Sequence, residues 1–156
     1  MMEKNYLWRS QIFFENFMKP RQSSIYRKLE LLHLWASSLV DRCPKSLSYQ
    51  IEGKAIMDDL NNALLVTKFA LKAPKGEERL RHIEMLDVYL ADLDTHITEL
   101  RERSKPANAQ ARVLTRDQYA SYMRDYAIIQ MEIDSWRKSN IVGLQAPAGR
   151  AGSGSD

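Results

Sequence analysis

The sequence predicts an all-α fold, an antiparallel up-down-up-down four-helix bundle, and three observations lead there. Ile83, Leu86, Leu90, Leu93, Ile97 and Leu100 recur at alternating steps of three and four, which lays one apolar seam along a single helix face. Tyr119, Tyr122, Tyr126, Ile129, Ile133 and Trp136 repeat that pattern further on. No segment shows the alternation expected of a strand, and the helical stretches are separated by short breaks of the kind that join antiparallel neighbours.

Residues 1–21 form an N-terminal extension ahead of the bundle, with enough apolar surface, including Tyr6, Leu7, Trp8, Ile12, Phe13, Phe14 and Phe17, to pack or to bind a partner. Ser23 or Ser24 then caps a first helix whose buried stripe is Ile25, Leu29, Leu32, Ala36 and Leu39, with Trp35 beside it. This helix stops near Cys43 and Pro44, because proline disfavours helical geometry in the residue before it.

Ser46 or Ser48 caps a long second helix with the seam Gly53, Ile56, Leu60, Ala63, Thr67 and Ala70, which ends around Ala73, Pro74, Lys75 and Gly76. Small residues on that seam permit close helix approach, but alanine is also simply a good helix former, and the plainer reading is preferred. The third helix runs from about Glu77 to Arg103, with Glu77 and Glu78 at its positive end and Arg101 and Arg103 at its negative end. A connecting loop with Pro106, Asn108 and Ala109 follows, and Thr115 caps a fourth helix reaching about residue 139. The bundle domain is therefore placed at residues 22–140, and residues 141–156, ending PAGRAGSGSD, have the composition of a flexible tail.

At 156 residues and 44% apolar content the chain has the length of one domain with a real core. The first residues carry an acid and break their apolar positions with polar ones, so they do not read as a secretory signal, and no run approaches a membrane span. The single cysteine, Cys43, cannot form an internal disulfide, and a cytoplasmic location is expected. A net charge of +3 is mild, but its distribution is uneven: residues 1–45 hold eight Lys/Arg against four Asp/Glu, whereas residues 76–105 hold five against eight.

Lys54, Asn61, Lys68 and Lys75 recur every seven residues on the second helix, with Lys72 close by, and form one polar stripe. Such a stripe neutralises successive phosphates, although solvated lysine faces are common in helical proteins. For that stripe to meet phosphate, the acidic positions Glu78, Asp92 and Glu99 of the third helix must face elsewhere or pair with a basic partner. Arg21, Arg27, Lys28, Arg42 and Lys45 cluster around the two ends of the first helix, which helical rise separates by more than about 20 Å.

His33, His82 and His96 fall in no metal-ligand spacing with one another. Asp92, His96 and Glu99 do share one helix face, but an exposed set of this kind ordinarily supports solubility and local pairing, so no metal and no cofactor are expected. Cys43 has no histidine partner nearby in sequence, there is no Gly-rich phosphate loop, and no catalytic set emerges: the sequence predicts a binding protein and no enzyme. Tyr119, Tyr122, Tyr126 and Trp136 could stack on bases, but their regular spacing assigns them to core or subunit interface; Trp8 and Phe13 are better placed for partner contact.

Within residues 25–73, IYRKLELLHLW, the helix break DRCPKS and then LSYQIEGKAIMDDLNNALL follow one another. This layout resembles the accessory variability determinant family of diversity-generating retroelements, a branch of the four-helix-bundle proteins that also includes the ribosomal-RNA intervening-sequence type. With the third and fourth helices in register, the resemblance extends over residues 25–139. It implies a basic homopentamer of four-helix subunits that binds RNA or RNA/DNA hybrid together with a reverse transcriptase, assisting mutagenic copying of a template RNA while the polymerase supplies the chemistry. Carried onto this chain, Lys45 falls at the Pro-Lys break, and the basic residues of the first two helices, Arg21, Arg27, Lys28, Arg42, Lys54, Lys68, Lys72 and Lys75, become candidates for the nucleic-acid surface. Trp8, Phe13, Phe14 and Phe17 are candidates for the partner or oligomer interface. The alternatives are a bundle of the intervening-sequence type and a purely structural, protein-binding oligomer; no small-molecule substrate and no membrane are expected. Heptad seams serve packing within and between subunits alike, so subunit number stays open on the residues alone.

Overall fold

The computed structural model describes residues 23–103 and 113–154, with side chains through Ile141. Four helices lie among them: α1 (Ser24–Asp41), α2 (Leu47–Lys72), α3 (Glu77–Arg103) and α4 (Arg116–Gly154). Each packs against its neighbours in sequence, and α1 closes the ring against α4. Cross-helix contacts fix the alternation of direction. Lys68, late in α2, stands over the ring of Tyr26 at the start of α1, while Val40 at the end of α1 meets Gly53 early in α2. Tyr49, at the start of α2, donates its hydroxyl to the carbonyl of Arg103 at the end of α3, 3.2 Å away. The chain is thus the all-α up-down-up-down bundle that its periodicities predict. The extension with Trp8, Phe13, Phe14, Phe17 and Arg21 lies outside the described residues.

The seams converge on one core. Leu29, Leu39, Ile56, Leu60, Ile133 and all six apolar seam residues of α3 are buried, as is the Ala63, Thr67 and Ala70 portion of α2. Close approach occurs at one of the small seam residues: a Cβ on Gly53 would lie 2.9 Å from Val40 Cγ1, so glycine lets the end of α1 settle onto α2. Buried Thr67 satisfies its hydroxyl by donating to the Ala63 carbonyl one turn back, at 2.7 Å.

Capping residues act largely where the sequence places them. Ser23 Oγ accepts from the amides of Ile25 and Tyr26. Thr115 and Gln118 form a reciprocal box, each side chain accepting from the other's backbone amide at 3.2 and 3.0 Å. Ser46 holds the N-cap position of α2 without a side-chain cap bond.

The α2–α3 turn is built from three constraints. Ala73 is extended, as a residue before proline must be, Gly76 takes φ 116°, and the Gly76 amide donates to the buried side chain of Asn140 at 3.0 Å. Asn140 in turn donates to the Trp136 carbonyl at 2.9 Å, so one amide group ties the turn to α4. Beyond Asn140 the backbone stays helical through Gly154, past the residue-140 boundary expected from composition. Gly143, Pro147 and Gly149 all disfavour helix there; adding one hydrogen bond per residue to an existing helix is the opposing effect.

Two substitutions test this account by urea denaturation. Leu90→Ala, at a fully buried seam position, should cost about 2–5 kcal/mol, whereas Val88→Ala, at a position 58% exposed, should stay within about 0.5 kcal/mol. Asn140→Leu should cost about 1–3 kcal/mol, because it leaves the Gly76 amide buried without an acceptor.

Candidate nucleic-acid surface and the acidic groove opposite

The lysine stripe and two of the three acids of α2, Glu52 and Asp59, separate to different edges of that helix, while Asp58 stays beside Lys54. Residues two apart in sequence lie about 200° apart around the helix axis, so the 52/59 pair and the 54/61/68 series point in different directions; Lys75, expected on the same stripe, lies in the turn beyond the last residue of α2, where Pro74 has ended the helix. Partners confirm the two directions. Asn61 Oδ1 meets His33 Nε2 of α1 at 2.9 Å and Lys68 covers Tyr26 of α1, whereas Glu52 turns to His96 of α3.

Lys54, Lys68, Lys72 and Lys75 are all exposed, and Lys54 forms a surface pair with Asp58 one turn on, at 2.9 Å. An exposed pair of this kind contributes roughly 0–1 kcal/mol and exchanges readily for a phosphate contact. Arg27 is exposed beside Tyr26, at the end of the bundle that also carries Lys68, Lys72 and Lys75. Arg42 and Lys45 are exposed at the opposite end, beside the start of α2 and Lys54. Two basic poles therefore stand at the ends of the α1–α2 face, with Lys54 and Lys72 separated by about 27 Å of helix.

Lys28 belongs to neither pole. It turns towards α4, where its ammonium donates to Glu132 and to Ser24, and Ser24 also donates to Glu132.

On the α3 side, His96 Nδ1 lies 2.6 Å from Glu52 Oε1 and Nε2 lies 3.3 Å from Asp92 Oδ2. Glu99 Oε2 is 3.9 Å from Nδ1, and Arg103 stands 3.7 Å from the second Glu52 oxygen. Glu52 and Asp59 are buried and Asp92 and Glu99 exposed, so the groove is deep on its α2 wall and open on its α3 wall.

Burial penalises the charged form of Glu52, but hydrogen bonds with His96 and Glu99, helped by the charges of His96 and Arg103, outweigh it and hold the carboxyl below its ordinary range. Burial likewise works to lower His96, and the hydrogen bond and charge of Glu52, with Asp92 and Asp59 adding, prevail and raise it. Asp59 is pushed up to about 7 by burial first, then by hydrogen bonding with and repulsion from Asp92. Asp92, His96 and Glu99 were legible as one face of a helix; Glu52 and Asp59 were missed. Their signal is two acids seven residues apart, each immediately preceding a seam residue, Gly53 and Leu60.

The aromatic series of α4 is structural. Tyr119 pairs its hydroxyl with Thr98, Tyr122 donates to Asp94 at 2.7 Å and Tyr126 donates to the Leu90 carbonyl at 3.2 Å, so successive hydroxyls climb α3 one turn at a time. Tyr122 stacks on Trp35 of α1 with ring centroids 5.5 Å apart, and its burial, then the Asp94 carboxylate, raise its pKa. Arg137 completes the α3–α4 seam by pairing with Glu84, Asp87 and Asp134.

Cys43 is buried, its thiol directed at the Leu39 carbonyl; burial raises its pKa against the smaller lowering effect of Arg42. Among the described residues no helix is long and apolar enough to cross a membrane.

No family model, no curated protein and no solved structure matches this chain.

The thiol environment has a direct readout. Cys43 in the folded chain should react with a thiol-specific disulfide reagent at least about tenfold more slowly than in urea, because attack requires an accessible thiolate. Equal rates in the two conditions would contradict the buried placement.

Proposed function

We propose that this protein is a non-catalytic, nucleic-acid-binding accessory of a diversity-generating retroelement, acting as an oligomer with a reverse transcriptase and its template RNA or cDNA. The observation that carries the reading is the partition of charge on α2: Lys54 and Lys68 share the helix edge that meets α1, and acids 52 and 59 are turned into the α3 groove. A polyanion approaching the α1–α2 face meets Arg27, Lys68, Lys72 and Lys75 at one end and Arg42, Lys45 and Lys54 at the other, with Asp92 and Glu99 around the far side of α2.

Two poles about 27 Å apart on one subunit make few simultaneous phosphate contacts. Copies arranged side by side, a pentamer by resemblance, would place poles of neighbouring subunits along one strand and sum individually weak contacts into useful avidity. The polymerase holds the reacting groups in this scheme, and the bundle holds the template beside it. Residues 1–21, with Trp8, Phe13, Phe14 and Phe17, are proposed as the segment that docks the polymerase or crosses to the next subunit.

Binding to single-stranded RNA and to RNA/DNA hybrid, measured across a salt series, should weaken steeply with salt. The Lys54→Glu/Lys68→Glu/Lys72→Glu variant should bind at least about tenfold more weakly with a shallower salt slope, since each lost phosphate contact removes roughly one unit of that slope. Helicity and oligomeric mass should be unchanged in this variant, because all three side chains are exposed. Salt-insensitive or absent binding, together with failure to capture a reverse transcriptase encoded beside the gene, would favour the structural oligomer instead. Deleting residues 1–20 should reduce either polymerase capture or oligomeric mass.

A further inference from the structure

The groove between α2 and α3 holds donor groups that nucleic-acid binding leaves unused. Oxygen and nitrogen donors of Asp59, Asp92 and His96 all lie within 4.8 Å of one another, and Glu52, His96 and Glu99 form a second such set sharing the same imidazole. Acidic residues on a helix surface are ordinarily solvated charge, but two features set this groove apart.

Asp59 is only 7% exposed; its carboxyl meets another carboxyl, that of Asp92, and its Oδ2 has no hydrogen-bond partner among the described residues. A carboxylate oxygen withdrawn from water without a partner is costly, and such atoms in a folded protein call for an explanation. His96, independently, is already oriented as a ligand. Glu52, 4% exposed, accepts from Nδ1 at 2.6 Å, and its second oxygen faces Arg103. With the proton assigned to Nδ1 by that acceptor, the Nε2 lone pair points into the space bounded by Asp92 and Asp59. A buried carboxylate bound to the far nitrogen is how metal-ligating histidines are usually held in tautomer and orientation.

We infer that Asp59, Asp92 and His96 Nε2 bind one first-row divalent transition-metal ion across the α2–α3 groove, with Glu52 fixing the imidazole. The nitrogen donor favours zinc, cobalt, nickel or iron(II) over calcium or magnesium, which take oxygen ligands. Bonds of about 2.0–2.2 Å require neighbouring donors about 3–3.5 Å apart. Closing the set to that spacing takes side-chain adjustment, and the Asp92 side chain, 55% exposed, has room for it. The same exposure leaves the remaining coordination positions to water. The ion replaces any proton on Nε2 and joins α2 to α3 beside the core, so binding stabilises the fold by linkage.

Tag-free, full-length protein is stripped with a chelator, dialysed, and titrated with ZnCl2 by calorimetry and with CoCl2 by visible absorption. Expected are one ion per chain, a cobalt d–d band and a raised Tm. Asp59→Asn and His96→Gln should each weaken binding at least about tenfold, Glu52→Gln by about 10–100-fold, and Glu78→Gln on the exposed first turn of α3 not at all. Asp59→Asn preserves side-chain shape and removes a buried charge, so unchanged circular dichroism separates loss of binding from loss of fold. No binding by the unmodified chain overturns the inference. So does binding that survives both Asp59→Asn and His96→Gln, or that is retained in Asp59→Asn and lost in Glu99→Gln, which would move the ion to the Nδ1 side.

Discussion

Burial of the α3 seam is the constraint on which the remaining structure depends. Ile83, Leu86, Leu90, Leu93, Ile97 and Leu100 are all wholly inaccessible, which requires apolar surface from other helices along more than four turns. At about 1.5–3 kcal/mol per buried aliphatic side chain, this one seam outweighs any individual polar contact in the molecule. Its length dictates the lengths of α2 and α4. It also forces the groups flanking the seam on either side of α3 into partly dry surroundings, where they need partners.

Those flanks are resolved differently. Towards α4, Leu90, Asp94 and Thr98 each meet one tyrosine hydroxyl, an arrangement in which every acceptor has a neutral donor and the rings themselves supply apolar area. Towards α2, the meeting groups are Glu52, Asp59, Asp92, His96 and Glu99, four acids around one imidazole. Like charges at this separation repel, and a single protonated histidine with Arg103 at the rim does not balance four carboxylates. The aromatic flank is therefore self-sufficient, while the acidic flank carries an electrostatic deficit that a proton on Asp59 or a cation relieves.

The helices and their core were legible in the sequence because both follow from local information. A period of three and four residues marks the buried face, Pro44 and Pro74 mark the breaks, and Thr115 marks a helix start, to which the structure adds Gln118 as the reciprocal partner. The acidic groove was half legible for an equally physical reason. Asp92, His96 and Glu99 share a face at short spacing on one helix, whereas Glu52 and Asp59 join them only through the packing of α2 on α3, and that depends on how α2 is rotated about its axis. Lys28 shows the same limit from the other side: its neighbours in sequence suggest a basic cluster, but its position on α1 aims it at Glu132. The close approach at Gly53 was missed, since the alanines of the seam made helix propensity the preferred account of its small residues, and only Val40 seen against Gly53 shows the tight packing there.

The rotation of α2 links the two functional readings. Seam residues Gly53, Ile56 and Leu60 must face inward, which leaves the 52/59 edge against α3 and the 54/61/68 edge against α1. No other rotation buries the seam, so the hydrophobic core itself sorts Glu52 and Asp59 into one groove and the lysines, with Asp58 among them, onto the other side. Sorting of this kind matters at ordinary ionic strength, where charges more than about 8–10 Å apart are largely screened from one another. Around the diameter of a helix, about 10–12 Å with its side chains, the acids then take little from the attraction of Lys68, Lys72 and Lys75 for a polyanion. A modest net charge of +3 is thus compatible with a strongly basic face, because net charge sums over groups that a bound strand would not experience together.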